Sequence, residues 1–270
     1  MMQAEKAERF RALHQRDGLF LIPNPWDVGT ACLLEHAGFE ALASTSMGYA
    51  FTEGQPDGTI DRDRMMAHLA ALAAGTNIPV NADLGNGWGD APAVAAETIR
   101  MAAAAGVVGG SIEDDGGGYI YEKDLAVERV RAAVEAARSL SFPFTLTARA
   151  ENFLHNRPDL KDTIERLQAY QEAGADVLYA PGLATEEDIA AVVRNVDRPV
   201  NVLMGSPSLR LNVAQLQALG VKRVSVGPAL MRAALGAFQR AAKEMTEKGT
   251  FDFAAEAPPS REFSAIFSKR

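Results

Sequence analysis

Acidic residues and one arginine lie at the ends of short apolar runs. Asp83 ends IPVNAD, Glu113 lies near the end of VGGSIED, and Arg149 lies near the end of FTLTARA. Carboxylates that face inward beside one arginine are costly unless an opposite charge compensates them. A divalent cation would do so, and oxygen ligands without a His or Cys cluster suit Mg²⁺ or Mn²⁺ better than Zn²⁺. Taken singly, such acids more often cap helices or pair with an arginine, whereas the set favours a metal site.

Eight apolar runs of this kind predict short β-strands separated by helical segments. The predicted strands are Leu19–Asn24, Ala41–Ser46, Ile78–Asp83, Val108–Asp114, Phe144–Ala150, Val177–Pro181, Val200–Met204 and Arg223–Pro228. Helical spacing is clear over Asp61–Ala74, Ala91–Ala105, Leu125–Ala137 and Thr185–Val196. Phrases such as EHAGFEAL and EAGADVL place a glycine between a helix and the next strand, which is typical of helix C-caps.

Strands that alternate with helices and are apolar throughout indicate a parallel sheet covered by helices. Eight strands close a (β/α)₈ TIM barrel, and no G-x-G-x-x-G follows the first strand as in a doubly wound dinucleotide-binding sheet. We therefore predict one α/β barrel domain over residues 1–270. Residues 1–17 would form a helix that covers the barrel bottom, and residues 251–270 a helical extension that packs on a neighbouring subunit. The polar strand ends would then meet at one face, where barrel active sites lie.

Composition narrows the choice of partners and compartment. The 270 residues carry a net charge of −8, which argues against nucleic acid or an anionic membrane as the main partner. The one cysteine, Cys32, allows no disulfide within the chain. The charged N-terminus lacks the apolar core of a signal peptide, and no run is long enough for a membrane span. We expect a soluble, cytoplasmic protein that binds a small molecule.

Several other chemistries lack support in the sequence. No lysine lies within a predicted strand or at its C-terminal end, which disfavours a Schiff-base enzyme. His155, in NFLHNRP after the fifth strand, is the histidine that could reach the barrel mouth, although a position away from it is the more ordinary interpretation. Cys32 lies in the middle of a helical pattern and is expected to be a small core residue.

In their order and spacing, five segments resemble the isocitrate lyase/phosphoenolpyruvate mutase superfamily over nearly the whole chain. The segments are PNPWDVGTACLLEHAGFEALASTS, IPVNADLGNGWGD, GGSIEDD, FTLTARAENFL and LGVKRVSVGPALMRAAL. The resemblance implies a (β/α)₈ barrel whose last helix is exchanged between subunits in a homodimer or homotetramer. It also implies Mg²⁺, with Mn²⁺ as an alternative, and a small 2-oxo acid or carboxylate substrate.

The resemblance further implies roles for individual residues. Asp83, Asp57 and Glu113 would form the metal site, with Asp57 acting through water. Thr45 and Ser46 match a loop that binds the substrate carboxylate, mainly through backbone N–H groups. Arg149 matches an arginine that binds a substrate oxygen, and with Glu113 it is a catalytic candidate.

Two further candidates come from their positions in the sequence. Asn201, in the seventh predicted strand, is a candidate for substrate binding. Tyr121 lies in the loop DDGGGYIYEKDL, where three glycines could form a mobile lid that brings a tyrosine to the substrate as a catalytic residue. A plain flexible loop is an equally good interpretation of the same residues.

The sequence departs from the family pattern at two places. The third strand of family members typically ends Asp-x-Asp-x-Gly-aromatic-Gly, and alignment on Gly87-Trp88-Gly89 puts Gly85 where the second acid stands. Pairing Asn81 with Asp83 instead also leaves one acid. The loop after the fourth strand lacks the Lys-Lys-Cys-Gly-His of the lyases, and it lacks the Lys and Asn of the phosphonate-cleaving members.

Three functions remain open, in order of preference. The first is a Mg²⁺-dependent lyase or decarboxylase of a small 2-oxo or 2-hydroxy di- or tricarboxylic acid, because stabilising an enolate needs only the cation and Arg149. The second is a C–P bond hydrolase or mutase with a rearranged loop. The third is a 2-oxo acid binding protein without catalytic activity.

Overall fold

Eight parallel strands form the centre of the protein. The computed structural model describes residues 1–207 and 209–268. The strands are β1 Phe20–Ile22, β2 Leu42–Ala43, β3 Val80–Asp83, β4 Gly109–Glu113, β5 Thr145–Arg149, β6 Val177–Tyr179, β7 Val200–Leu203 and β8 Arg223–Ser225. Their order in the sheet is β1-β8-β7-β6-β5-β4-β3-β2. The two end strands approach each other, since the Ala43 N–H donates to the Pro23 carbonyl at 3.0 Å. The nearly closed (β/α)₈ barrel confirms the predicted fold class.

Helices follow the strands and surround the barrel. They are α1 Gln3–Gln15, α2 Val28–His36, α3 Ser46–Thr52, α4 Arg62–Ala74, α5 Pro92–Ala104, α6 Lys123–Arg138, α7 Leu160–Glu172, α8 Glu186–Arg194, α9 Val213–Ala218, α10 Ala229–Lys248 and α11 Ser260–Phe267. The predicted strand boundaries lie within three residues of the observed ones. The second strand ends at Ala43, three residues before the predicted end at Ser46, where the structure begins α3. Thr45 caps that helix by accepting a hydrogen bond from the Gly48 N–H at 3.1 Å, which ends the extended backbone.

Glycines end helices where the sequence predicts it. Gly38 follows α2 with φ 92°, and Gly174 follows α7 with φ 104°. These left-handed conformations are unstrained only for glycine, and they turn the chain out of the helix toward the next strand. Where these helices end determines where the following strands begin, and so where the following strands end.

Helix α1 closes the bottom of the barrel, as predicted. Phe10 is fully buried and packs in a cluster with Phe20 and Val108, at the beginnings of strands. Lys6 is buried beside it, and its Nζ donates to the carbonyls of Ala73 at 2.9 Å and Thr76 at 2.6 Å. The barrel is therefore sealed at this end and open at the other.

The C-terminal part leaves apolar surface exposed. Phe238 on α10 is 71% exposed, and Phe251 in the segment after it is 66% exposed. Helix α11 lies against α2 of its own chain, so exchange of a helix between subunits stays a prediction. Residues 269 and 270 of the predicted extension lie outside the described residues. No helix in the described part of the chain is long and apolar enough to cross a bilayer.

Candidate active site

The carboxyl ends of the strands surround a cavity of about 710 Å³. Acidic, basic and hydroxyl side chains from several strand ends and loops line it. They include Thr45, Ser46, Asp57, Asp83, Glu113, Asp115, Arg149, Glu151, His155 and Tyr179. The open end of a barrel is where this fold places its active sites.

Arg149 is the centre of the charged floor of this cavity. Its three guanidinium nitrogens each contact a different carboxylate, at 3.2 Å for Asp83, 3.1 Å for Glu113 and 2.7 Å for Glu151. The strand register explains two of these neighbours, since Arg149 on β5 is paired with Glu113 on β4 and with Tyr179 on β6. The guanidinium lies over the Tyr179 ring at 5.0 Å from its centre. Sheet pairing thus brings the residues predicted from separate segments to one point.

Asp83 is fixed from the neighbouring strand end. The backbone N–H and the hydroxyl of Ser46 both donate to Asp83 Oδ2, at 2.9 and 2.8 Å. The Asp83 N–H in turn donates to the Ser44 hydroxyl at 2.8 Å. The N–H of Ser46 is therefore engaged by Asp83, and the Thr45 hydroxyl is engaged in capping α3. Both residues line the cavity, where Ser46 positions Asp83 and Thr45 caps α3, and their binding of a substrate carboxylate stays a prediction.

The floor of the cavity has more carboxylates than positively charged side chains. Burial raises the pKa of Glu113, and Glu151, Asp83 and Asp115 raise it further against the opposing effect of Arg149. Burial also raises the pKa of Glu151. Burial alone would lower the pKa of Arg149, but its carboxylate partners raise it well above its usual value. One guanidinium does not offset this many buried acids, so the floor is short of positive charge.

Asp57 and Gly85 lie beside the acidic floor of the cavity. Asp57 lies in the loop between α3 and α4, and partial burial together with the nearby Asp83 raises its pKa. Gly85 has φ 51°, and a Cβ there would lie 3.6 Å from Glu113 Oε1. A side chain at position 85 would therefore project toward Glu113. Glycine leaves that space open.

The donor set fits a hard divalent cation held partly by water. Asp83, Glu113 and Asp57 offer only oxygen atoms, which Mg²⁺ and Mn²⁺ prefer. The uncompensated charge described above supplies the electrostatic reason for a cation to bind. Within residues 1–207 and 209–268, no group of three or more His, Cys, Asp or Glu is placed to hold a metal ion. Mg²⁺ in proteins commonly keeps several waters and takes only one or two carboxylates.

Two predicted site residues lie outside this cavity. The Tyr121 side chain is 2% exposed and its hydroxyl donates to Asp90 at 2.6 Å, under the Arg129 guanidinium. Asn201 is 2% exposed, donates to the Ser225 hydroxyl at 3.0 Å and accepts from Arg223 at 2.8 Å. It lines a small cavity of about 60 Å³ that borders the floor of the main one, since Asp83, Arg149 and Tyr179 line both. Since neither side chain reaches the mouth, we leave both out of the proposed site.

Three further residues line the cavity that were not among the predicted site residues, although His155 was named as the histidine that could reach the mouth. Glu151 binds Arg149 and lies two residues beyond the end of β5. Asp115 and His155 lie on neighbouring loops, with Asp115 Oδ1 at 3.3 Å from His155 Nε2. Position gave a signal for all three, because each follows a predicted strand within six residues. It could not tell which of them turn inward.

Comparison with known proteins decides the family. A sequence model described as phosphoenolpyruvate phosphomutase matches residues 10–246. The chain belongs to this family. The predicted phosphoenolpyruvate mutase/isocitrate lyase superfamily is thereby confirmed, and the relatives of this family include lyases.

The chain is similar to the following three proteins, among others. A lyase/mutase candidate from Burkholderia cenocepacia J2315 is 63% identical, with a TM-score of 0.96, and the match covers 98% of this chain and 96% of that one. The 2-methylisocitrate lyase of Halalkalibacterium halodurans is 28% identical, over 92% of this chain and 84% of that protein. A phosphonopyruvate hydrolase solved with oxalate and Mg²⁺ is 23% identical with a TM-score of 0.87, over 100% of this chain and 96% of that one. At that identity the last likeness shows the fold alone.

Proposed function

We propose that the protein is a Mg²⁺-dependent lyase or decarboxylase of a small 2-oxo or 2-hydroxy di- or tricarboxylic acid. The observation that carries the proposal is the position of Arg149, which is held among Asp83, Glu113 and Glu151 on the floor of the cavity. A buried guanidinium beside acids in excess is suited to hold both an anionic substrate and a cation.

Arg149 would stabilise the charge that develops in the reaction. When the bond from C3 of a 2-oxo acid to a departing group breaks, for example to a carboxylate that leaves as CO₂, its electron pair moves toward the 2-oxo oxygen and gives an enolate. A preorganised guanidinium next to that oxygen stabilises the enolate without reorganising solvent. Glu151, at 2.7 Å from Arg149 Nε, would keep the guanidinium plane fixed during this change.

Asp83 and Glu113 would hold the cation directly, and Asp57 would do so through water. The cation, when bound, would act as a Lewis acid on the 2-oxo oxygen. Asp83 and Glu113 currently occupy the two terminal nitrogens of Arg149. If these carboxylates turn toward a cation, both nitrogens become free to donate to substrate oxygens. The same acids would thus couple cation binding to substrate binding.

The charge of the cavity disfavours a C–P bond hydrolase or mutase. Among the described residues that line the cavity, Arg149 is the only arginine or lysine. A phosphonate of a 2-oxo acid carries a carboxylate and a phosphonate group with up to three negative charges, so the charge of the cavity disfavours it relative to a dicarboxylate but not relative to a tricarboxylate. Turnover of phosphonopyruvate would nevertheless identify that function directly.

The test is turnover of a panel of 2-oxo and 2-hydroxy di- and tricarboxylic acids with Mg²⁺, followed by release of the 2-oxo acid product or of CO₂. We expect EDTA and Asp83→Ala each to abolish turnover, whereas Asp63→Ala, an exposed acid on α4, keeps it. Activity that survives both EDTA and Asp83→Ala would refute the proposal. Binding of a 2-oxo acid without any product would favour a binding protein instead.

We also propose that the chain forms a homodimer or homotetramer through its C-terminal region. The exposed Phe238 and Phe251 support this, because both are large apolar side chains left uncovered in the C-terminal region, and exposed apolar surface of this kind often marks an interface. Light scattering coupled to size exclusion would measure the mass. Phe238→Ser should shift a wild-type oligomer toward the monomer, and a wild-type monomer would exclude the assembly.

A further inference from the structure

His155 and Asp115 face each other across the rim of the cavity. Asp115 lies on the loop between β4 and α6, and His155 lies on the loop between β5 and α7. The His155 Nε2 atom is 3.3 Å from Asp115 Oδ1, and the two side chains are 18% and 31% exposed. Both line the cavity that contains Arg149. The ring is therefore half-buried, oriented by a carboxylate and adjacent to the proposed reaction site.

Both residues are held by hydrogen bonds within their own loops. The His155 N–H donates to the Glu151 carbonyl at 3.1 Å, which ties the histidine to the residue that fixes Arg149. Asp115 Oδ1 accepts from the backbone N–H groups of Gly117 at 2.7 Å and Gly118 at 3.2 Å. Within the described residues the Nδ1 atom of His155 has no hydrogen-bond partner. It is free to exchange a proton with a ligand.

The other ionisable side chains of the cavity are less suited to move a proton. Asp83, Glu113 and Glu151 are engaged with Arg149, and Asp57 is the residue proposed above to hold the cation through water. Burial and nearby acids raise the pKa of Tyr179 to about 12 despite Arg149, so its phenol is a poor acid and its phenolate is scarce near neutral pH. Histidine is the side chain that most often serves as a general acid or base there.

We propose that His155 is the catalytic residue that exchanges a proton with C3 of the bound 2-oxo acid, and that Asp115 is its positioning residue. This inference rests on the proposed function. In decarboxylation, the bond from C3 to the departing carboxylate breaks and that carbon leaves as CO₂. The electron pair of this bond forms the enolate, whose C3 then takes a proton from imidazolium to give the 2-oxo acid and neutral imidazole. In the reverse exchange, neutral imidazole removes a C3 proton, and the imidazolium exchanges that proton with water.

The test uses pyruvate as a probe in D₂O with MgCl₂, and follows loss of the methyl proton signal by NMR. We expect the wild type to catalyse exchange, and His155→Gln to lower the exchange rate by about 10²-fold or more, the usual contribution of a general acid or base. Calorimetric binding of oxalate with Mg²⁺ should be retained, which shows that the variant is folded. His36→Gln, an exposed histidine at the end of α2, is the matched control and should exchange at the wild-type rate. Asp115→Asn should lower exchange by a smaller factor without changing oxalate binding.

The outcomes separate this inference from the proposed function. Wild-type cleavage of a panel acid with undiminished exchange in both His155→Gln and His155→Asn would overturn the role of His155 alone. Wild-type cleavage without any C3 exchange would do the same. A wild type that neither cleaves the panel, exchanges pyruvate nor binds oxalate would overturn the proposed function and this inference together.

Discussion

Two arginines are buried at opposite ends of the same barrel, and their surroundings differ in kind. Arg149 ends β5 and contacts three carboxylates. Arg223 begins β8 and contacts the Asn201 oxygen at 2.8 Å, the Thr147 hydroxyl at 2.9 Å and His14 Nε2 at 3.3 Å. Burial lowers the pKa of Arg223 to about 9, whereas the pKa of Arg149 is raised well above its usual value.

The two surroundings indicate two roles: Arg223 supports the fold, whereas Arg149 is placed to take part in ligand binding. At the bottom, burial lowers the pKa of His14 to about 3, and Arg223 lowers it further, so this partner is uncharged at neutral pH. Polar but neutral groups satisfy Arg223 under the cover of α1. At the mouth, three carboxylates surround the one guanidinium of Arg149 and face an open cavity. We therefore assign structure to the lower arginine and ligand binding to the upper one.

The difference between the two arginines is tested most strongly by replacing each of them with methionine. Arg149→Met should lower kcat/KM on any panel acid that the wild type turns over by about 10³-fold or more, because a preorganised charge at the enolate oxygen is lost. Arg223→Met should change kcat/KM by less than about 3-fold, since Arg223 lies under α1 at the bottom of the barrel; the loss of its hydrogen bonds should instead cost about 1–3 kcal/mol of stability. Steady-state kinetics on both folded variants measures the contrast. Equal losses in the two variants would contradict the assignment.

The second prediction tests whether the bottom of the barrel contributes to stability and not to activity. Phe10→Ala should lower the free energy of unfolding by about 3 to 5 kcal/mol, because it empties a fully buried site under the strands. Its kcat/KM, measured well below the unfolding transition, should equal that of the wild type. Denaturant titration and kinetics together check this. A loss of activity in the folded variant would show that α1 influences the mouth.

The third prediction concerns cation affinity at the mouth. Glu113→Gln should weaken Mg²⁺ binding by about 10- to 100-fold, the size of effect typical of changes around a metal site. The variant keeps the shape of the side chain and removes its charge. Glu165→Gln, at a surface acid that contacts Lys123, is the matched control and should leave Mg²⁺ affinity unchanged. Titration calorimetry distinguishes them, and equal affinity in both variants would argue against Glu113 as a ligand.

The smallest expected effect is the pH dependence of stability without a divalent cation. The pKa of Glu113 and of Glu151 is raised in the folded state, so both favour folding when protonated and lose that contribution as pH rises through the folded values. In EDTA, the melting temperature should fall by a few degrees from pH 5 to pH 8, corresponding to about 1 kcal/mol. Glu113→Gln should flatten the profile. A melting temperature that rises over this range in EDTA would contradict the charge account.

The sequence predicts the strands, the barrel and the charged floor because local signals determine them. Glycine stops such as Gly38 and Gly174 fix where strands begin, and the strand register then brings Glu113 beside Arg149. Asp83, Glu113 and Arg149 could be predicted together because all three end strands.

Residues on loops and on the inner faces of strands could not be placed in the same way. Tyr121 and His155 both follow strands in polar loops, yet only His155 lines the cavity. The bridge between Asp115 and Ile120, which turns the loop, depends on contacts that no local pattern reveals. Asn201 turns toward Arg223 because of the buried charge on β8, which no local pattern revealed.

The most direct test of the central claim is Mn²⁺ binding by electron paramagnetic resonance, with oxalate as the 2-oxo acid mimic and Mg²⁺ as competitor. We predict one Mn²⁺ per chain in the wild type, displacement by Mg²⁺, the same uptake in Arg223→Met, and loss of uptake in Asp83→Ala. Equal Mn²⁺ uptake by Asp83→Ala and the wild type, or none by the wild type, would contradict the account of the mouth as a cation site.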